Sequence, residues 1–161
     1  MDRLRQASLT ALGVISGTSM DGIDVSIVTS NGRDTVTFGA GASYPYRDGT
    51  RAALQALIAQ AERALTEPLH ELEAEVTADH LAAIRRFIAE HEIDPAGIDL
   101  VGLHGQTVYH RPQQRFTRQL IDGPAIAAAL GIATVDRFRQ ADVAAGGEGA
   151  PFAPLYHRAL A

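Results

Sequence analysis

The 161-residue chain contains no cysteine and no tryptophan. Without cysteine it forms no disulfide and offers no thiolate to a metal ion. Basic residues do not dominate either, because 14 Lys and Arg stand against 19 Asp and Glu, a net charge of −5. An acidic balance argues against nonspecific nucleic-acid binding. No apolar run approaches the roughly 20 residues of a membrane span, and the N-terminus lacks the pattern of a signal peptide. We therefore expect a cytoplasmic protein without a membrane or nucleic-acid partner.

What is present is the composition and patterning of a folded α/β domain. Hydrophobic residues make up 46% and charged residues 20%, close to globular averages. Alternating apolar residues and turn signals predict three strands before any helix. The predicted strands cover residues 12–16, 24–29, 35–44, 98–103, 119–121 and 132–135. The predicted helices cover residues 50–66, 69–92, 124–130 and 150–161. This order predicts a mixed sheet with flanking helices, its first three strands antiparallel.

The first segment suited to chemistry is the string GTSMDGID at residues 17–24, between the first two predicted strands. Glycines and hydroxyl residues in such a turn let backbone N–H groups face an anion. Asp21 and Asp24, three positions apart, can hold Mg²⁺ directly or through water. An isolated GTS is better interpreted as a polar hairpin, whereas the whole string at this position favours a phosphate loop. The candidate phosphate-binding residues are Gly17, Thr18, Ser19, Met20, Asp21, Gly22, Ile23 and Asp24.

The second segment is HGQTVYH at residues 104–110, directly after the predicted buried strand. Ligands in open α/β sheets bind at the carboxyl ends of strands. His104, Gln106 and Thr107 offer donors and acceptors that suit sugar hydroxyl or amide groups. The alternative is a core histidine at 104 and a surface histidine at 110, and for His110 that alternative is the better one. A metal site at the two histidines is disfavoured, because no third ligand is nearby.

The third segment, residues 135–154, carries a glycine cluster followed by Ala-Pro and an apolar stretch. A helix that begins near Pro151 would present its N-terminus to polar ligand groups. Asp136, Arg139 and Asp142 can contact a substrate or bridge two domains. A solvated interdomain loop is an equally good interpretation of these residues.

Together the three strings resemble the anhydro-N-acetylmuramic acid kinase family. Its motifs are G-x-x-S-G-T-S-x-D-G-x-D, H-G-Q-T-x-x-H-x-P and D-F-R-x-x-D-x-x-x-G-G-Q-G-A-P-L-x-P. The resemblance implies a ribonuclease-H-like (actin-like sugar kinase) domain that uses ATP and Mg²⁺. It implies hydrolytic opening of 1,6-anhydro-N-acetylmuramic acid with phosphorylation to N-acetylmuramic acid 6-phosphate, in peptidoglycan recycling and amino-sugar catabolism. It assigns residues 17–24 to the ATP phosphates, and His104, Gln106, Thr107 and Arg139 to the sugar.

Three positions depart from the family pattern. Arg137 stands where the family has the aspartate of D-F-R, with Asp136 one position earlier; Glu148 replaces the glutamine of G-G-Q-G, and Ile121 stands where glycine is usual. These departures affect the substrate contacts that the resemblance implies more than the phosphate loop.

The family is about twice as long as this chain, as two linked domains require. The resemblance implies an N-terminal kinase domain, residues 1–135, and an interdomain loop and helix, residues 136–161, which lead to a second domain with the general base. We therefore expect a truncated half that is inactive alone. The alternatives are a non-catalytic sugar- or phosphate-binding domain, and a subunit that forms a homodimer or assembles with a separate second-domain chain.

Overall fold

The computed structural model describes residues 8–152, which form a mixed sheet with helices packed against it. The strands are β1 Leu9–Ser16, β2 Ile23–Ser30, β3 Val36–Tyr44, β4 Leu100–Arg111, β5 Phe116–Leu120 and β6 Thr134–Val135. The helices are α1 Asp48–Ile58, α2 Arg63–Thr66, α3 His70–Glu90, α4 Gly123–Leu130 and α5 Gln140–Ala144. Short 3₁₀ turns lie on either side of β4, at Pro95–Gly97 and Pro112–Gln114. Within residues 8–152, no helix is long and apolar enough to cross a membrane.

The sheet order places the carboxyl end of β1 beside the middle of β4. The order is β3-β2-β1-β4-β5, and β6 also pairs with β4. β1, β2 and β3 pair antiparallel, as their alternation predicts, whereas β1 and β4 run parallel. β6 pairs with β4 at Val101 and Gly102, and β5 pairs with the second half of β4 in the opposite direction. One edge of β4 is therefore shared by two short strands.

The core lies between the sheet and the helices α1 and α3. Alternate residues of β1, Leu12 and Val14, are buried, while the next residue, Ile15, is 44% exposed on the other face. Leu54 of α1 and Phe87 of α3 are fully buried against this core. Because burying a large apolar side chain contributes about 1.5–3 kcal/mol, this alternation fixes which face of the strands meets the helices.

The single helix predicted at residues 50–66 is wrong, because the chain forms α1 and then the separate one-turn helix α2. Between the two helices the Gln60 N–H donates to the Leu57 carbonyl and the Arg63 N–H to the Gln60 carbonyl, so tighter three-residue turns replace the α-helical bonds. The end of α2 is contacted by a distant strand. Arg118 of β5 donates to the carbonyl oxygens of Ala64, Glu67 and Pro68 over 2.7–2.8 Å. A guanidinium that binds the carbonyl groups at and after the end of α2 favours a stop there. Local periodicity carries no sign of this contact.

The strand predicted at residues 98–103 is present, but it begins at Leu100 and continues to Arg111. The continuation pairs with β5, so the second segment lies inside the strand rather than after it. A bulge interrupts β4: Val14 pairs with Leu103 and Ile15 pairs with Gly105, which leaves one extra residue between the two pairs. Gly105 has a φ of +70°, and a Cβ there would lie 2.8 Å from the side chain of Ile121. Only glycine fits this bulge.

The C-terminal elements differ from the prediction in smaller ways. β5 begins earlier than predicted, and α4 starts where the side chain of Asp122 accepts from the Ala125 N–H at 3.0 Å. The helix α5 occupies a segment that was predicted as loop, which corrects that prediction. The predicted helix at residues 150–161 lies, from residue 153 onward, outside the described residues.

Candidate functional site

The predicted phosphate loop, residues 17–22, connects β1 to β2 as a tight turn. Ser16 pairs with Ile23 across its base, and the Met20 N–H donates to the Gly17 carbonyl at 3.1 Å. Met20 has a φ of +56°, which turns its side chain into the core. The residues at the tip, Gly17, Thr18, Ser19 and Asp21, are exposed. The turn therefore presents its backbone and hydroxyl groups to solvent.

Gly22 closes this loop against β3. A Cβ at Gly22 would lie 2.6 Å from Ser43 Oγ and 3.0 Å from the Tyr44 carbonyl oxygen. A side chain there would push β3 away from the loop, so the second glycine of the motif is required by packing as well as by any ligand.

The parallel pairing of β1 and β4 brings the second segment beside the phosphate loop. Ser16, the last residue of β1, pairs with Gln106. Gln106 is fully buried, and its Nε2 donates to the Gly17 carbonyl and to the Thr107 carbonyl, each at 3.2 Å. Thr107 is half-buried and its Oγ1 accepts from Gln119 Nε2 at 3.3 Å. The sequence assigned Gln106 and Thr107 to a sugar; in the structure the amide of Gln106 contacts the loop.

His104, the bulged residue of β4, is joined to the third segment by Arg139. Arg139 Nε donates to His104 Nε2 at 2.8 Å, so that nitrogen is the acceptor of a neutral imidazole. The proton is then on Nδ1, which donates to the Gly105 carbonyl at 2.9 Å. Burial lowers the pKa of His104 below its ordinary value, and the Arg139 charge lowers it further. His104 therefore stays neutral near pH 7.

Arg139 also holds the glycine cluster of the third segment. Its Nη1 donates to the Gly149 carbonyl at 2.7 Å, and the Gly149 N–H donates to Asp142 Oδ2 at 2.7 Å. A Cβ at Gly149 would lie 2.9 Å from His110 Cε1, so this glycine touches the second segment directly. His110 also contacts Thr117 through Nδ1 at 3.0 Å. The histidine that the sequence favoured as a surface residue is half-buried.

All three segments meet at one cavity of about 410 Å³ on the sheet face away from α1 and α3. Asp24 of the first segment, His104 of the second and Phe138 of the third line it. Its floor is formed where Gly13 and Gly102 pair on β1 and β4, because neither carries a side chain. The sequence predicts each motif separately, and the sheet register brings them together.

The acidic residues of the first segment suit a phosphate-bound magnesium ion better than a site made by protein alone. Asp21 and Asp24 are both exposed. Across residues 8–152 there is no group of three or more His, Asp or Glu that could hold a metal. Mg²⁺ commonly keeps several waters and takes one or two carboxylates together with substrate phosphates, so this pair fits that mode of binding.

Two residues that contact the site were missed by the motif analysis. Tyr46 and Ser16 lie behind the phosphate loop, and both are almost completely buried. Ser16 lies within the first family motif, but a serine at this position is equally compatible with an ordinary strand residue. Tyr46 lies between β3 and α1, where no local pattern points to the loop.

Comparison with known proteins agrees with this geometry. A family model described as anhydro-N-acetylmuramic acid kinase matches residues 9–161. The chain belongs to the anhydro-N-acetylmuramic acid kinase family. Proteins with that name from Bradyrhizobium diazoefficiens, Rhodopseudomonas palustris and Paramagnetospirillum magneticum are 46%, 45% and 42% identical to it.

The similarity covers most of this chain and less than half of each relative. The alignments extend over 153–158 residues, which is 95% of this chain and 42–43% of the three relatives. All three motif segments lie within the matched residues 9–161. The chain thus carries the family's pattern over less than half the length of these relatives.

Proposed function

We propose that this chain forms the N-terminal domain of an ATP-dependent kinase that opens the ring of 1,6-anhydro-N-acetylmuramic acid. In the reaction, water attacks the anomeric carbon and breaks its bond to O6, and the freed O6 takes the γ-phosphoryl group. The bond from the γ-phosphorus to the β-phosphate oxygen breaks, and the products are N-acetylmuramic acid 6-phosphate and ADP. The observation that carries the proposal is the meeting of three motif segments, with Asp24, His104 and Phe138 on one cavity.

The phosphate-binding role falls to residues 17–24. The exposed turn at Thr18 and Ser19 offers amide and hydroxyl donors without bulky side chains, which suits a phosphate oxygen. Asp21 and Asp24 would hold Mg²⁺ directly or through water. Bound Mg²⁺ supplies neutralisation of charge on the transferring phosphoryl group. The antiparallel first three strands and the parallel fourth support a ribonuclease-H-like fold for this domain.

The sugar-binding role falls to His104, Thr107 and Arg139. The neutral His104 lines the cavity, and the Arg139 guanidinium holds its Nε2 at 2.8 Å. Hydroxyl and amide groups of an amino sugar are bound by such mixed donor and acceptor sets. Gln106 belongs to the same motif but is fully buried.

Catalysis requires more than these residues provide. We place the general base that activates water in the part of the family that this chain does not match. Residues 1–135 then form the kinase domain, and residues 136–161 lead toward the second domain. Alignment of reactants in a closed cleft contributes about 7–11 kcal/mol to lowering a barrier, and a base contributes about 10²–10⁴-fold more. The enzyme would act in the cytoplasm, where ATP is available, to recycle peptidoglycan fragments.

The test compares two proteins under the same conditions. One consists of residues 1–161; the other joins these residues to the remaining part of a family member. Each is incubated with MgATP and the anhydro sugar, and the 6-phosphate is measured by mass spectrometry. We expect product from the longer protein only. If the longer protein makes no product, the proposed function is wrong. If residues 1–161 alone turn over the sugar, the general base lies within them, and a non-catalytic binding subunit is excluded as well.

A further inference from the structure

A buried polar cluster lies directly behind the phosphate loop. It consists of Ser16 at 2% exposure, Tyr46 at 4% and Gln106 at 0%. The Tyr46 phenol oxygen lies 2.7 Å from Ser16 Oγ and 3.1 Å from Gln106 Oε1. Ser16 Oγ in turn lies 3.4 Å from the Gly105 carbonyl oxygen. Polar groups this deeply buried are costly unless hydrogen-bonded, so each member of the cluster depends on the others for its partner.

The hydrogen bonds of this cluster have a defined direction. The side-chain amide of Gln106 faces two carbonyl oxygens, those of Gly17 and Thr107, so its NH₂ group must point at them. Its Oε1 then faces Tyr46 and can only accept. The Tyr46 phenol therefore donates toward Gln106 Oε1 at 3.1 Å and shares that proton with Ser16 Oγ at 2.7 Å, while the Ser16 hydroxyl donates to the Gly105 carbonyl at 3.4 Å. Burial raises the pKa of Tyr46, so the phenol keeps this proton at any working pH.

The consequence for the loop follows from peptide geometry. The Gly17 carbonyl accepts from Gln106 Nε2 at 3.2 Å and from the Met20 N–H at 3.1 Å. Two donors hold this oxygen toward the protein interior. In a trans peptide the carbonyl and the following N–H point in opposite directions. Anchoring the Gly17 oxygen inward thus turns the Thr18 N–H outward, where an anion would meet it.

We propose that Tyr46, acting through Gln106 and supported by Ser16, is a positioning residue that orients the phosphate loop. Gln106 then serves the loop rather than the sugar. This rests on the proposed function in one respect, that the ligand of the loop is the phosphate of ATP. The orientation of the loop itself follows from contacts within the chain.

The enzymatic test uses the longer protein described above. Tyr46→Phe removes the phenol and keeps the ring, and Ser16→Ala removes only the supporting hydroxyl. Tyr44→Phe is the matched control, because its phenol donates to Glu90 at 2.8 Å on the outside of α3. We expect KM for MgATP to rise about 10-fold in Tyr46→Phe and about 3-fold in Ser16→Ala, as the loss of one net hydrogen bond implies. KM for the sugar should stay within about 2-fold, and Tyr44→Phe should change neither constant.

The pattern of the constants decides between positioning and its alternatives. If KM for the sugar rises as much as KM for MgATP, Gln106 acts in sugar binding, and the proposal is overturned. A lower melting temperature in Tyr46→Phe with an unchanged KM for MgATP would show a role in stability only. If Tyr46→Phe fails to fold, Ser16→Ala gives the same comparison.

A second readout does not depend on the reaction. Amide hydrogen exchange of the 161-residue chain reports the bond from the Met20 N–H to the Gly17 carbonyl. We expect Tyr46→Phe to speed exchange at Met20 while Tyr44→Phe leaves it unchanged. Unchanged exchange at Met20 in both Tyr46→Phe and Ser16→Ala would overturn the positioning role. Faster exchange together with a longer protein that makes no product would instead retain positioning and reject the proposed function.

Discussion

Arg139 donates from Nε to Nε2 of His104 across 2.8 Å, and through Nη1 it also holds the Gly149 carbonyl. One guanidinium therefore joins a strand of the sheet to the glycine cluster that follows α5. Such a fork of two donors cannot be reproduced by lysine, which is a point charge on a flexible stem.

Arg139→Lys should loosen the glycine cluster and weaken use of the sugar. The Gly149 N–H, now held by Asp142 at 2.7 Å, should exchange at least about 10-fold faster, because a lost charge-assisted bond is worth about 1.5–3 kcal/mol. Exposed Arg137, two residues away, provides the control Arg137→Lys. Equal exchange rates at Gly149 in the two variants would contradict the link.

Acidification should destabilise the chain through its buried histidines. Burial lowers the pKa of His80 to about 4, and burial also lowers the pKa of His104. The unfolded chain takes up a proton near pH 6.5 while the folded chain resists it until about pH 4. The contribution of the neutral histidines to the free energy of unfolding is therefore fully present above about pH 6.5. It falls as the pH drops toward 4, by on the order of 2–3 kcal/mol for His80.

Urea denaturation from pH 7 to pH 4 measures this loss. The variant His80→Gln should lose less stability over that range than the original chain, because its side chain does not titrate. The exposed His70 provides the control His70→Gln, which should follow the original chain. A His80→Gln variant with the same pH dependence as the original chain would remove His80 as the cause.

Two glycines with the same backbone conformation should respond differently to substitution. Gly105 and Gly131 both have a φ of +70°. A Cβ at Gly105 meets Ile121 and the Leu120 carbonyl at 2.8 Å, whereas nothing lies within 4 Å of a Cβ at Gly131. Gly131→Ala should cost about 1–2 kcal/mol for the left-handed conformation alone. Gly105→Ala should cost about 3–5 kcal/mol, because steric overlap adds to that conformational cost. Equal losses in urea denaturation would contradict the bulge geometry.

Features of the fold could be predicted from the sequence where neighbouring residues determine them. The turn at residues 17–22 and the alternation in β2 are local patterns, and both appear where the sequence predicts them. The division of residues 50–66 into α1 and α2 was missed, because Leu57, Ala61 and Ala64 keep a helical spacing across the turn that separates the two helices. The continuation of β4 through residues 104–111 was missed, because the polar second segment was placed after the buried strand, whereas a bulge at His104 carries the strand on.

In the candidate site, too, local patterns could be predicted from the sequence and long-range contacts could not. The motif residues were recognised one segment at a time, and the structure brings Asp24, His104 and Phe138 to one cavity. Tyr46 could not be recognised, because its contact with Gln106 depends on the register between β1 and β4 rather than on any neighbouring residue.

Asp24→Asn should raise the Mg²⁺ requirement of the longer protein. Asp24 is exposed beside the phosphate loop, and the change removes a charge while it keeps the shape of the side chain. We expect the Mg²⁺ concentration for half-maximal rate to rise by about 10–100-fold, the usual effect of losing a group that orients a bound metal. Asp48→Asn makes the same charge change on the exposed first turn of α1 and should leave the requirement unchanged.

The central claim is that residues 17–22 bind the phosphates of ATP, and a crystal structure of the longer protein with Mg²⁺ and a non-hydrolysable ATP analogue tests it directly. We expect phosphate oxygens at about 2.7–3.2 Å from the N–H groups of Thr18 and Ser19, which is hydrogen-bonding distance. The Gly146–Gly149 turn is the internal comparison, since it is also rich in glycine and exposed over part of its length. Phosphates bound at that turn, with residues 17–22 free of contact, would contradict the account.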